Sequence, residues 1–208
     1  MMLRNTIKGL LSFVNSGSLK RPMSTISPLQ SHRIVWIDME MTGLDIEKDR
    51  IMEIACIVTD GNLNVVAEGP NVILNVPKDI LENMNGWCLK QHNKTGLTES
   101  SLNSKITAEI AETELLNFIS NHVVEKCSPL AGNSVYMDRL FLRKFMPRVD
   151  SYLHYRIVDV SSIKELCRIW NRDVYKNAPT KTLEHRALQD IRESIQELQF
   201  YRMNFFNL

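Results

Sequence analysis

No acidic residue occurs before Asp38, although the 208-residue chain carries 24 Asp and Glu in all. The same stretch holds Arg4, Lys8, Lys20, Arg21 and Arg33, together with several serines. Leu3, Ile7, Leu10, Leu11 and Val14 recur at helical spacing and fall on one face. An acid-free, basic, amphipathic, Ser-containing start has the composition of a mitochondrial transit peptide. Residues 1–30 are therefore expected to be a targeting presequence, with 31–208 as one folded domain. Initiation at Met23, just after Lys20-Arg21, would leave a chain without that signal, the route by which an additional cytosolic form could arise.

Other absences narrow the class further. No apolar stretch reaches the length of a membrane span, so no membrane association is expected. Cys56, Cys88, Cys127 and Cys167 form no CxxC pair, which fits reduced thiols and not a disulfide framework. Cys88 and His92 are spaced like half of a zinc site, but no second half is visible, and packing accounts for them. Repeats and low-complexity segments are absent. So is a basic stripe. Without the four basic residues of the first 30 positions, 21 Lys and Arg face 24 Asp and Glu, a net charge of −3. Proteins that grip long nucleic acids gain affinity by neutralising many phosphates with basic side chains. Any nucleic-acid substrate here should be short, or held mainly by metal ions.

What is present has a clear order. "RIVWIDME" reads as a buried strand over 34–40. "IMEIACIVTD" (51–60) ends on an Asp-Gly hairpin signal, and "NVVAEGPNVILNV" (64–76) supplies the next strand. These three are predicted to pair antiparallel. A mixed region with short helical pieces follows Pro77. Apolar spacing then predicts a helix over 107–123 with Thr107 as its N-cap. A short strand within 128–134 and a helix over 137–146 stopped by Pro147 come next. A strand over 155–160, a Ser-capped helix from Ser161 and a long last helix beginning near His185 complete the chain. Three antiparallel strands followed by alternating helix and strand imply an α/β fold with a mixed sheet flanked by helices.

Asp38 and Glu40 interrupt the first strand where more apolar residues are expected. Side chains two apart on a strand point the same way, so both carboxylates project from one face. Close buried anions repel unless a cation neutralises them, and a hard divalent ion is the simplest partner for oxygen ligands. Further carboxylates should then converge from later elements. Asp138, after the strand-like "LAGNS", and Asp190, five residues beyond His185 in "HRALQD", are the candidates. Four carboxylates and a histidine are the donor set of a two-metal phosphoryl-transfer site, in which a near-neutral imidazole takes the proton of water. A lone Asp at a helix start is usually a cap, and a lone helical His is usually packed. Residue type alone leaves the choice among 24 acidic residues open.

Motifs narrow it. "DMEMTGLD", "GNSVYMDRLF" and "HRALQDI" together resemble the DEDDh group of 3′-to-5′ exonucleases. Within that group, "WIDMEMTGLD", "WCLKQHNKTGLT", "GNSVYMDRLFLRKFMP", "YLHYRIVDVSSIKEL" and "HRALQDIRESIQELQFYR" are similar to the oligoribonuclease family, in order, from about Ile34 to Phe206. The stretch "NRDVYKNAPTKTLEHRA" matches less well. The resemblance implies an RNase H-like exonuclease fold with a mixed five-stranded sheet. It also implies a homodimer and removal of nucleotides from very short single-stranded RNAs, down to dinucleotides. Asp38, Glu40, Asp138 and Asp190 would hold two Mg²⁺ or Mn²⁺ ions, with His185 as general base. Five residues from Asp190, His185 would face another side of a regular helix, so it is expected on the loop or first turn.

The resemblance further assigns Leu44 as a wedge against a base, and Trp87, His92 and Ser134 to the substrate pocket. Tyr155, Arg156 and Ser161 would reach in from the partner subunit, Tyr155 stacking on a base while Arg156 and Ser161 cap the 5′ phosphate. Without it, Trp87 and Tyr155 read as core and Arg156 as surface. A capped site that closes after a few nucleotides would also explain the missing basic stripe. Two other readings are a DEDDh exonuclease acting on longer RNA or DNA, and an idle RNA-binding protein on the same fold.

Overall fold

The computed structural model describes residues 32–182 and 185–208; the expected presequence lies outside the described residues. Ile34–Met41 forms β1, antiparallel to β2 (Ile51–Thr59), which pairs antiparallel with β3 (Val65–Ile73). The turn between β2 and β3 is tied by Asp60, whose Oδ1 accepts from the N–H groups of Asn62 (2.8 Å) and Asn64 (2.9 Å). Three short helices follow, α1 (Lys78–Glu82), α2 (Gly86–Lys94) and α3 (Leu97–Asn103), then the longer α4 (Ala108–His122). Thr107 caps α4 as expected, its hydroxyl accepting from the Ile110 N–H. The chain re-enters the sheet as β4 (Leu130–Gly132), leaves as α5 (Tyr136–Phe145) and α6 (Pro147–Tyr152), and returns as β5 (Ile157–Asp159). It ends with α7 (Val160–Trp170), α8 (Arg172–Lys176) and α9 (Ala187–Asn204).

The sheet order is β3-β2-β1-β4-β5, with β4 parallel to both β1 and β5. This is the mixed five-stranded sheet expected. Period-2 alternation sorts its side chains into two layers. Val35, Ile37, Met39, Ile54, Cys56 and Val58 pack under Leu115 and Ile119 of α4, Phe141 of α5 and Val149 of α6. On the other face Trp36, Ala55, Ile57 and Ala131 pack under Cys167 of α7 and Ile191, Ile195 and Tyr201 of α9. All of β2 is buried, because both faces are covered. Each such Leu or Ile contributes roughly 1.5–3 kcal/mol. Trp36 donates from Nε1 to Thr59 Oγ1 at 3.0 Å, so its one polar atom is satisfied inside the core.

One detail differs from expectation. Pro147 ends α5 but also opens α6, because proline has no N–H to lose at a helix start. His185 lies on the loop before the last helix, which begins at Ala187. Gly132 suits the close approach of β4 to β1, since a Cβ there would lie 3.0 Å from the Ile37 carbonyl oxygen.

Parallel pairing has a functional consequence. The C-terminal ends of β1, β4 and β5 emerge at one edge of the sheet, where ligands collect in open α/β sheets. Asp38 and Glu40, the Asn133–Asp138 turn and Asp159 all sit there.

Candidate active site

Asp38 and Glu40 share the face of β1 that Trp36 begins, the face covered by α9. Glu40 is buried, while Asp38 keeps part of its surface open to solvent. Asp138 comes from the first turn of α5, is buried, and accepts a hydrogen bond from the Met39 N–H between the two strand carboxylates. Asp190 comes from the first turn of α9, where a negative charge suits the helix dipole. His185 precedes that helix with a backbone φ of +54°, and it swings back over the cluster. Donor atoms of Glu40, His185 and Asp190 all lie within 4.8 Å of one another.

The electrostatics reflect this crowding. Burial and the charges of Asp138, Asp190 and Glu40 raise Asp38 well above the ordinary carboxylate range. Burial, with Asp190, Glu53 and Asp138 nearby, pushes Glu40 up to about 8. Burial also raises Asp138 to about 8, against the pull of its backbone hydrogen bonds. Asp190 rises for the same first reason, with His185 opposing. Four carboxylates that each resist ionisation need either bound protons or cations. The donor set is hard oxygen plus one imidazole, with Lys181 and Arg186 nearby also lowering these groups. That set fits divalent ions.

Beside the cluster lies a cavity of about 370 Å³, lined by Glu40, Gly43, Leu44, Trp87, Cys88 and His92 among others. Three expected substrate residues thus meet around one of the carboxylates. Leu44 and Trp87 are exposed at 66% and 59%, apolar surface with no structural employment. Trp87 meets the His185 ring edge to face, with centroids 5.2 Å apart. His92, by contrast, is a wall of the site. Its Nε2 donates to the Met41 carbonyl at 2.9 Å, leaving Nδ1 buried, without a hydrogen bond, 3.9 Å from Glu40 Oε2. Burial holds its pKa below the usual histidine value.

Ser134 and Ser161 form a pair. Their hydroxyls are 3.1 Å apart, and Ser134, with φ +50°, also donates its N–H to Asp159 Oδ1 at 3.0 Å. Parallel β4 and β5 bring the turns that carry Ser134 and Ser161 to the same edge of the sheet within one chain. Tyr155 and Arg156 do stand apart. They are exposed on the loop before β5, the guanidinium 5.3 Å from the tyrosine ring centroid, and they do not line the cavity.

Reading by motif passes over Glu53 and Arg186. Glu53 lies opposite Glu40 in the β1–β2 register and has no accessible surface. Its carboxylate binds Arg186 through Nη2 (2.9 Å) and Nε (3.0 Å). The signal was available: a charge inside the apolar run "IMEIACIV" is as anomalous as Asp38 and Glu40 in theirs.

Comparison with known proteins agrees with this geometry. The RNase_T family model, described as exonuclease, matches residues 35–198. The mitochondrial oligoribonuclease of Homo sapiens is 53% identical over 176 residues, 85% of this chain and 74% of that one. The oligoribonuclease of Actinobacillus pleuropneumoniae is 48% identical over 183 residues, covering 88% and 99%. Among solved structures, a zinc-bound complex of E. coli exonuclease I with single-stranded DNA superimposes with a TM-score of 0.64 at 15% identity, over 85% of this chain but 42% of that one. This last likeness is one of fold, and the chain spans under half of that larger protein.

Proposed function

This chain belongs to the oligoribonuclease family and is a 3′-to-5′ exoribonuclease, and from that premise we propose that its substrates are RNAs of two to a few nucleotides, cleaved to 5′-mononucleotides. The observation that carries the reading is the small cavity shared by Glu40, Leu44 and Trp87 at the edge of a four-carboxylate cluster. It has room for a short segment of chain, in keeping with a net charge near zero that offers little to a long phosphate backbone.

Asp38, Glu40, Asp138 and Asp190 would hold two divalent ions, Mg²⁺ or Mn²⁺, whose contribution when bound is to activate water and spread the charge of the phosphoryl transition state. His185 accepts the proton of the attacking water, the general-base role that an imidazole beside a reacting water can fill. Trp87 supports that ring from the side. Leu44 and Trp87 bracket the terminal base, which tolerates any base because every base has an apolar face. The Ser134–Ser161 hydroxyl pair binds the 5′ phosphate from the same subunit.

Tyr155 and Arg156 complete the phosphate cap across a homodimer. Exposed Ile157, Leu166, Ile169 and Trp170 lie on β5 and one face of α7, next to that loop, and form a surface suited to a second copy. The mitochondrial name of the human relative and the basic start favour mitochondrial targeting of residues 31–208 as a single domain.

The deciding experiment is a length series of 5′-phosphorylated RNAs, from two to about ten nucleotides, with Mg²⁺ and with Mn²⁺. The dinucleotide should be cleaved fastest. Faster loss of the longest RNA, or of DNA, would replace this reading with a trimming or proofreading exonuclease.

A further inference from the structure

His185 holds a left-handed backbone conformation, φ +54°, which residues bearing a Cβ seldom adopt without help. It precedes α9, outside the hydrogen-bond ladder of the helix. The next residue supplies the hold. Arg186 occupies the N-cap position of α9 but makes no side-chain cap. Its guanidinium instead forks onto Glu53, Nη2 to Oε1 at 2.9 Å and Nε to Oε2 at 3.0 Å. Glu53 Oε2 also accepts from the Ala187 N–H at 3.4 Å, one of the amides a helix start leaves without an internal partner. A β-strand carboxylate therefore caps α9 from across the fold.

Position makes this more than a cap. Glu53 has no accessible surface, so the sheet fixes it on every side. It stands opposite Glu40 in the β1–β2 register and projects from the same face. One rigid carboxylate thus sets the distance between the strand that carries Asp38 and Glu40 and the residue next to His185. A buried ion pair is a poor source of stability, since apolar residues of equal volume are often as good. What its forked geometry supplies is a single orientation.

We infer that Glu53 and Arg186 are positioning residues, a clamp that holds the His185 imidazole over the acidic cluster. The inference rests on His185 acting as the base. Neither residue touches the reacting atoms. Loss of the clamp should leave cavity and carboxylates intact and let the imidazole wander.

The test uses the full chain with Glu53→Gln, which keeps shape and removes charge, Arg186→Ala, and the double variant. Rates on the 5′-phosphorylated dinucleotide are measured at saturating Mg²⁺ and corrected for the folded fraction by circular dichroism. Each single variant should lower kcat by roughly 10- to 100-fold, the cost of a misplaced group of about 1 Å, with KM nearly unchanged. The double variant should be no worse than the weaker single, because the two act as one unit. Added guanidinium should restore part of the Arg186→Ala rate. In metal-free protein, the His185 ring resonances should broaden in the variants and stay sharp in the parent.

A corrected kcat within twofold of the parent, an effect confined to KM, or unchanged His185 resonances would each overturn the clamp. Parent protein that prefers a longer RNA would overturn the short-substrate reading alone, and the same variants are then compared on that RNA. A parent whose His185→Ala form keeps full activity removes the base, and the clamp with it.

Discussion

Trp87 and His185 meet at 5.2 Å between ring centroids, with their planes 89° apart, although they are almost a hundred residues apart in sequence. The first belongs to α2 beside the cavity and the second to the approach to α9. The side chains proposed for base recognition and for water activation therefore share a contact.

Trp87→Ala should lower kcat/KM for the dinucleotide by about 10- to 100-fold, the usual worth of one stacked base. Because the side chain is largely exposed, its loss should shift stability by no more than about 0.5 kcal/mol. A thermal melt together with initial rates checks both. Unchanged kcat/KM in a folded variant removes Trp87 from the site.

Asp138→Asn and Asp190→Ala should each reduce the rate by roughly three decades or more, the scale of losing a member of an interdependent catalytic set. EDTA should do the same to the parent, reversibly on adding Mg²⁺. Turnover that survives both the substitutions and the chelator contradicts the metal-dependent mechanism.

The metal-free protein should lose stability as pH rises. Folding lifts Glu40 from 4.5 to about 8 and Asp138 from 3.8 to about 8. Between these limits the folded protein keeps protons that the unfolded chain has released. The proton difference, unfolded minus folded, is thus negative, and stability falls with pH by at most roughly 1.4 kcal/mol per unit for each such proton. Divalent ions replace the protons, so added Mg²⁺ should raise the melting temperature more at about pH 8.5 than at about pH 6. Melts across that range, with EDTA and with Mg²⁺, provide the check. A metal-free melting temperature that climbs with pH contradicts the stated carboxylate environment.

Trp170→Glu, alone or with Ile169→Glu, should convert a dimer to a monomer of about 24 kDa on light scattering. Activity on dinucleotides should fall with it, because Tyr155 and Arg156 no longer reach a neighbouring site. A parent that is already monomeric and fully active excludes the shared cap.

Much was legible in the linear chain because it depends on short-range periodicity. Alternation over "IVWIDMEM" determines both the strand and the common face of Asp38 and Glu40. Thr107 marks the start of α4 because its cap bonds are local. Five motifs in order, with their residue identities, were enough for the family. Nothing local distinguishes Glu53 from any other acidic residue except its apolar surroundings, and its partner Arg186 is 133 positions away. Nor does spacing reveal that Ser161 belongs beside Ser134, which follows from β4 and β5 running parallel. Sequence by itself determined which chemistry the chain carries. Tertiary structure decided which turns meet at the sheet edge, which carboxylate caps α9, and in which direction burial shifts each carboxylate. Those depend on strand register and desolvation, and both exist only once distant segments have packed.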